Sequence, residues 1–216
     1  MDNIFEILLH TDDALLTLAS KNVNEAYLLL FTLIMLETGL LFFPLLPGDG
    51  LLFSAGVVAV STDMNILILV ILLLVAAVAG NVINYYVGKF LGMKIRRSNN
   101  YFVKKYLMKY ISKAQEFYSK HGGSAVIIGR FFPIIRTYIP FLAGVVNMER
   151  VIFLRNSIIG AFAWIVPYLL IGFFVGEIEW VKNNYGIIFL FLISTTFLPF
   201  IFKIVKRALV RFYTNK

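Results

Sequence analysis

The chain contains no cysteine. Disulfides, thiolate nucleophiles and zinc-thiolate centres are therefore excluded. Histidine is almost absent as well: only His10 and His121 occur, far apart in sequence, which argues against a metal enzyme and against a phosphatase built on paired, activated histidines. Charge is scarce, at 15% of 216 residues against roughly 25% in an average soluble domain, while 60% of the residues are hydrophobic. A soluble globular domain is excluded by that balance. Basic residues are lacking at the N-terminal end, where Asp2, Glu6, Asp12, Asp13 and Glu25 face Lys21 alone, contrary to the charge pattern of a cleaved signal peptide. Residues 1–25 read as an amphipathic segment lying on a membrane surface.

What the chain has instead is apolar length. Residues 66–86, 157–176 and 185–202 carry no charge, and each approaches the roughly 20 residues that an α-helix needs to cross about 30 Å of hydrocarbon. The fold expected is an all-α polytopic membrane protein with about three full transmembrane helices and short amphipathic helices. The net charge of +8 is concentrated beside these stretches: nine Lys and Arg fall within residues 89–120, opposed only by Glu116, and five more lie between Lys203 and Lys216. The positive-inside rule explains this placement, and nucleic acid is not implied. It puts a basic helical segment, 91–122, and a basic tail, 206–216, in the cytoplasm. Glu177, Glu179 and the N-terminus then lie outside. The same charges suit anionic lipid head groups.

Two further apolar regions, 26–60 and 124–146, must each return to the side they enter for this path to close. Pro44, Pro47, Gly48 and Gly50 interrupt the first, and Pro133 and Pro140 the second. A proline in a helix interior costs about 3 kcal/mol and removes a donor, so breaks are expected at these prolines, with a half-helix restarting near Thr137 to Pro140. Both regions read as re-entrant hairpins, entering from opposite sides. The stretches PLLPGDGLLFSAG (44–56) and PIIRTYIPFLAG (133–144) resemble each other, each beginning at Pro and ending in Ala-Gly. Opposite orientations make this the inverted-repeat plan of secondary transporters, whose broken helices meet near the midplane.

Non-helical backbone at membrane depth must be covered by protein or line a wet cavity, so the two tips should face each other. That gathers Glu37 and Asp49 with Arg130 and Arg136. Each would cost about 2.5–3.5 kcal/mol alone at the bilayer centre. Arginine's planar fork fits a phosphate or carboxylate in bidentate fashion, so Arg130 and Arg136 are the candidates for an anionic head group. Glu37, in a long apolar run, is the candidate for proton coupling, with Asp49 next. The structural alternatives are that Asp49 caps the returning half-helix and that Glu37 and one arginine form an ion pair that only fixes packing. Asn81 and Asn84 read as interhelical hydrogen-bonding residues, Asn156, Trp164 and Tyr168 as packing or interfacial anchors, and His121 as part of the loop before the second hairpin.

The ordered series E37TGLLFFPLLPGD49, G129RFFPIIRTYIPFLAG144 and N156SIIGAFAW164 resembles the DedA family of bacterial membrane proteins, related to the VTT-domain proteins of eukaryotes, over about residues 26–205. The family pattern has an acidic residue before the first hairpin, another after Pro-Gly, and two arginines in the second. Glu37, Asp49, Arg130 and Arg136 match it without departure. The resemblance implies a multi-pass protein of the bacterial cytoplasmic membrane that moves undecaprenyl phosphate, or another phospholipid, between leaflets in dependence on the proton gradient. It implies neither an enzyme nor a cofactor, and a homo-oligomer is compatible with it. A proton-coupled carrier of a small soluble solute is the rival reading.

Overall fold

The computed structural model describes residues 11–40, 48–97 and 108–178. Within them the chain is helical: α1 (Thr11–Lys21), α2 (Val23–Gly39), α3 (Gly48–Ser61), α4 (Ile66–Arg97), α5 (Met108–His121), α6 (Ser124–Gly129), α7 (Pro133–Val145) and α8 (Arg150–Val175). Two of these helices, α4 and α8, are long and apolar enough to cross a membrane. Both outrun the charge-free stretches that announce them. Helix α4 continues past Tyr86 through Lys89 and Lys94 to Arg97, because long basic side chains can lay their stems on apolar surface and reach water while favouring a helix C-terminus. Its 32 residues span about 48 Å at 1.5 Å per residue. His121, expected in a loop, is the last residue of α5. The expected helix over 185–202 and the proline positions Pro44 and Pro47 lie outside the described residues.

Helices α4 and α8 run antiparallel. At one end Tyr85 stacks on Phe153 with ring centroids 4.5 Å apart, and one turn away Asn81 Nδ2 donates to Ser157 Oγ at 2.7 Å. At the other end Leu69 and Leu73 of α4 share a buried cluster with Ile165 and Leu169 of α8. Ala77 and Ala161, between these ends, are both completely buried.

The remaining helices are laid onto this pair through glycine. A Cβ at Gly56 of α3 would overlap the Leu169 carbonyl of α8, and one at Gly172 of α8 would overlap the Phe53 carbonyl. The same crossing recurs elsewhere: a Cβ at Gly144 of α7 would overlap the Tyr85 carbonyl of α4, and one at Gly88 the Phe141 carbonyl. The sequences match, Phe53-Ser-Ala-Gly56-Val57 against Phe141-Leu-Ala-Gly144-Val145, seated on Gly172 and Gly176 in one case and Gly88 and Gly92 in the other. Helix α3 therefore crosses the long helix of the second half and α7 that of the first, so the halves interlock. Removing side chains at these crossings lets backbones approach where no hydrophobic effect drives helices together. Helix α3 is buried from Gly48 to Ala59, as an apolar helix surrounded by others should be.

One expectation is corrected. The break within 124–146 falls at Arg130–Phe132, before Pro133, and Pro140 lies inside a continuous α7. Proline at the first helical position loses nothing, since that N–H has no intrahelical acceptor. Pro140 has no N–H for the Arg136 carbonyl, while neighbouring side chains donate to other carbonyls of the same turn: Asn84 Nδ2 reaches the Thr137 carbonyl at 2.7 Å and the Tyr118 hydroxyl the Ile139 carbonyl at 2.6 Å. The turn that carries the proline is thus tied to α4 and α5. Pro167 also sits inside its helix, α8.

Candidate functional site

Glu37 lies in the last turn of α2 and is 1% exposed. Gly48, which opens α3, leaves room for it: a Cβ there would overlap the Glu37 carboxyl. The end of α2 and the start of α3 thus meet at this carboxylate. Asp49 follows in the first turn of α3, where a negative charge suits the positive end of the helix dipole.

Arg136, one turn into α7, faces both acids. Its Nη2 donates to Glu37 Oε1 and its Nη1 donates to Asp49 Oδ1 at 2.7 Å. Asp49 Oδ1 also accepts from Trp164 Nε1 of α8 at 2.7 Å. The indole lies under both guanidiniums, with its ring 4.8 Å from Arg136 and 5.6 Å from Arg130, close enough for attraction by the ring face. Four helices, α2, α3, α7 and α8, meet in this cluster.

Arg130 differs from Arg136. It caps the C-terminus of α6 and is buried, with its Cδ beside Gly160 of α8. Among the described residues it has no carboxylate partner, and its Nε and Nη2 have no acceptor. A buried cation with unmade hydrogen bonds is costly. The next residues in the chain, Phe131 and Phe132, are 57% and 52% exposed and Ile135 is 48% exposed, so a buried cation is followed at once by exposed apolar surface. Helix α7, whose first-turn N–H groups have no helical acceptor, begins three residues after it.

The structure thus brings together all four ionisable residues singled out in the sequence. Fully ionised, two carboxylates and two guanidiniums sum to zero, but the charges are unevenly paired. Arg136 is held by both acids and Arg130 by neither. Among the described residues Glu37 Oε2 has no side-chain partner, although the Gly48 backbone lies against the carboxyl. No group of His, Cys, Asp and Glu able to hold a metal occurs among the described residues.

Trp164 was not legible as part of this cluster. The available signal was its N–H: an indole buried in a charge-free helix needs an acceptor, and Glu37 and Asp49 were the acceptors anticipated at depth. Asn84, anticipated only as an interhelical donor, bonds the carbonyls of Thr38 and Thr137, one from each hairpin region. Asn156 stays outside the site: its Nδ2 donates to the Ile152 carbonyl of its own helix at 2.7 Å, beside Gly123.

The VTT domain matches residues 46–174, which include Asp49, Arg130 and Arg136 but not Glu37. The chain is 36% identical to Protein DedA of Escherichia coli strain K12 over 212 residues, covering 96% of each protein. It is 32% identical to the inner membrane protein YqjA of the same strain over 162 residues, 74% of this chain and 73% of that one. It is also 36% identical to the uncharacterized membrane protein Rv0364 of Mycobacterium tuberculosis H37Rv over 170 residues, 77% of this chain and 73% of the other. No solved structure matches it. With a domain match over most of its length and a relative aligned almost end to end, this chain is a membrane protein of the DedA family, built on the VTT domain.

Proposed function

We propose that the protein is a lipid transporter that carries undecaprenyl phosphate from the outer to the inner leaflet of the bacterial cytoplasmic membrane, with the phosphate on Arg130 and the polyprenyl tail left in the bilayer. The observation that carries this reading is the buried Arg130, whose Nε and Nη2 have no acceptor among the described residues, followed in the chain by the exposed Phe131 and Phe132. An anion bound there would satisfy stranded donors by charge-assisted bonds while its apolar chain passes outward over aromatic surface. A soluble solute would have no use for such a wall.

The second arginine enters by charge arithmetic. In the arrangement described, Arg136 is engaged by Glu37 and Asp49. A proton on Glu37 removes one of its counter-charges and leaves the cluster with one net positive charge, which favours an incoming phosphate. Arg136 can then turn its fork toward the ligand beside Arg130. Asp49, tied to both Arg136 and Trp164, stays as the fixed acid. Proton and phosphate are thereby drawn to the cluster together, which links lipid movement to the proton gradient. In this reading 26–60 and 124–146 are re-entrant hairpins of an inverted repeat, the interlocked glycine crossings hold them face to face, and the C-terminus is cytoplasmic with the N-terminus outside.

The test is reconstitution of purified protein in liposomes with a short-chain labelled polyprenyl phosphate, scored for leaflet exchange with a proton gradient of either sign. Acceleration over empty liposomes is expected. Uptake of soluble phosphate without lipid exchange would establish the solute carrier instead.

A further inference from the structure

Asn84 is a fully buried side chain on α4 that belongs to neither hairpin, yet it holds one residue of each. Its Nδ2 donates to the Thr38 carbonyl at 3.3 Å and to the Thr137 carbonyl at 2.7 Å. Thr38 is the chain neighbour of Glu37, and Thr137 is the neighbour of Arg136. Thr38 lies in the last turn of α2, where carbonyls have no helical donor, and Thr137 lies in the second turn of α7, beside Arg136.

Near this point α2 and α7 also meet α4 in close backbone approaches, at Gly39 on Gly80 and at Gly144 on Tyr85, and Ile139 and Ala143 of α7 share a buried cluster with Tyr85 of α4. Asn84 differs in being hydrogen-bonded to both helices at once. Among the described residues Asn84 Oδ1 has no hydrogen-bond partner. A buried acceptor without a donor is disfavoured, so the two Nδ2 bonds are made against that penalty.

We propose that Asn84 is a positioning residue, a clasp that sets the spacing between Glu37 and Arg136 by holding the backbone beside each. While both bonds are made, α2 and α7 are kept at the separation at which the ion pair closes. When they are released, the two helices part and the pair opens. The consequence for transport rests on the reading above; the geometry of the clasp does not.

The absence of native cysteine allows a direct measurement. Cysteines at the exposed positions Leu36 on α2 and Tyr138 on α7 would be spin-labelled and their separation read by pulsed electron resonance in liposomes. The otherwise native protein should give one narrow distance distribution. Asn84→Leu should add a longer-distance population, raised roughly tenfold or more by the loss of two buried hydrogen bonds. Asn81→Leu is the control: it removes an equally buried bond, to Ser157, one turn away on the same helix, and should lower thermal stability while leaving the distribution unchanged. If Asn84→Leu does not yield monodisperse protein, Asn84→Ala, which removes the amide without adding bulk, is read in the same way. An Asn84 variant with the native distance distribution would overturn the clasp, as would an Asn81 variant that opens the hairpins equally. Because the distances require no lipid substrate, failure of leaflet exchange in the native protein would count against the transport reading and leave this test intact.

Discussion

The two arginines should differ sharply in what they do for stability. Arg136→Gln leaves Glu37 and Asp49 facing each other in a buried cluster with their shared cation gone. Breaking a buried pair by removing one partner costs about 3–5 kcal/mol. At roughly 2–4 °C per kcal/mol for a chain of this size, the midpoint should fall by about 6–20 °C. Arg130→Gln removes a cation whose Nε and Nη2 have no acceptor, so its effect should stay within about 1 kcal/mol, or be stabilising, because an uncompensated buried charge is relieved. Thermal unfolding in detergent, followed by tryptophan fluorescence, measures both. Adding Glu37→Gln to Arg136→Gln should recover part of the loss, because only one carboxylate is then stranded. If Arg130→Gln proves as destabilising as Arg136→Gln, the distinction between a structural counter-ion and a waiting receptor is wrong.

Other outcomes follow from the same geometry. Gly56→Val and Gly144→Val each force apart a backbone crossing and should cost about 1–3 kcal/mol or more; if one were tolerated while the other unfolded the protein, the two crossings would not be equivalent. Glu37→Gln should keep lipid binding but remove the response of leaflet exchange to pH between about 5.5 and 8.5, because only a group able to gain and lose charge couples to protons. A native pH profile in that variant would move the proton role to Asp49. For the path through the membrane, a cysteine at Lys113 should be shielded from an impermeant thiol reagent in intact cells, and one at Glu177 labelled; the reverse pattern would invert the orientation.

A helix boundary at Pro133 and the gathering of the four charged residues were legible because prolines and membrane-depth charges are expensive and therefore informative one at a time. Pro140 misled for the same reason: its cost was visible, but the bonds that tie its turn to neighbouring helices come from Asn84 and Tyr118, which lie 56 and 22 positions earlier in the chain and become neighbours only after folding. The Phe-x-Ala-Gly-Val repeat was present in the sequence, but nothing local says that each copy packs on the long helix of the opposite half. The difference between Arg130 and Arg136 is likewise invisible in one dimension. Both are arginines next to a break, and only the placement of Glu37 and Asp49 around one of them separates their roles.

The central claim is that a buried guanidinium at Arg130 receives the phosphate of a lipid. Leaflet exchange of a labelled polyprenyl phosphate, compared in the same liposomes with the corresponding neutral polyprenol, tests it most directly in the native protein and in Arg130→Lys. The account predicts accelerated exchange of the phosphate lipid alone, and its loss in Arg130→Lys, since lysine keeps the charge but not the fork. Equal exchange of the neutral lipid, or undiminished exchange in Arg130→Lys, would contradict it.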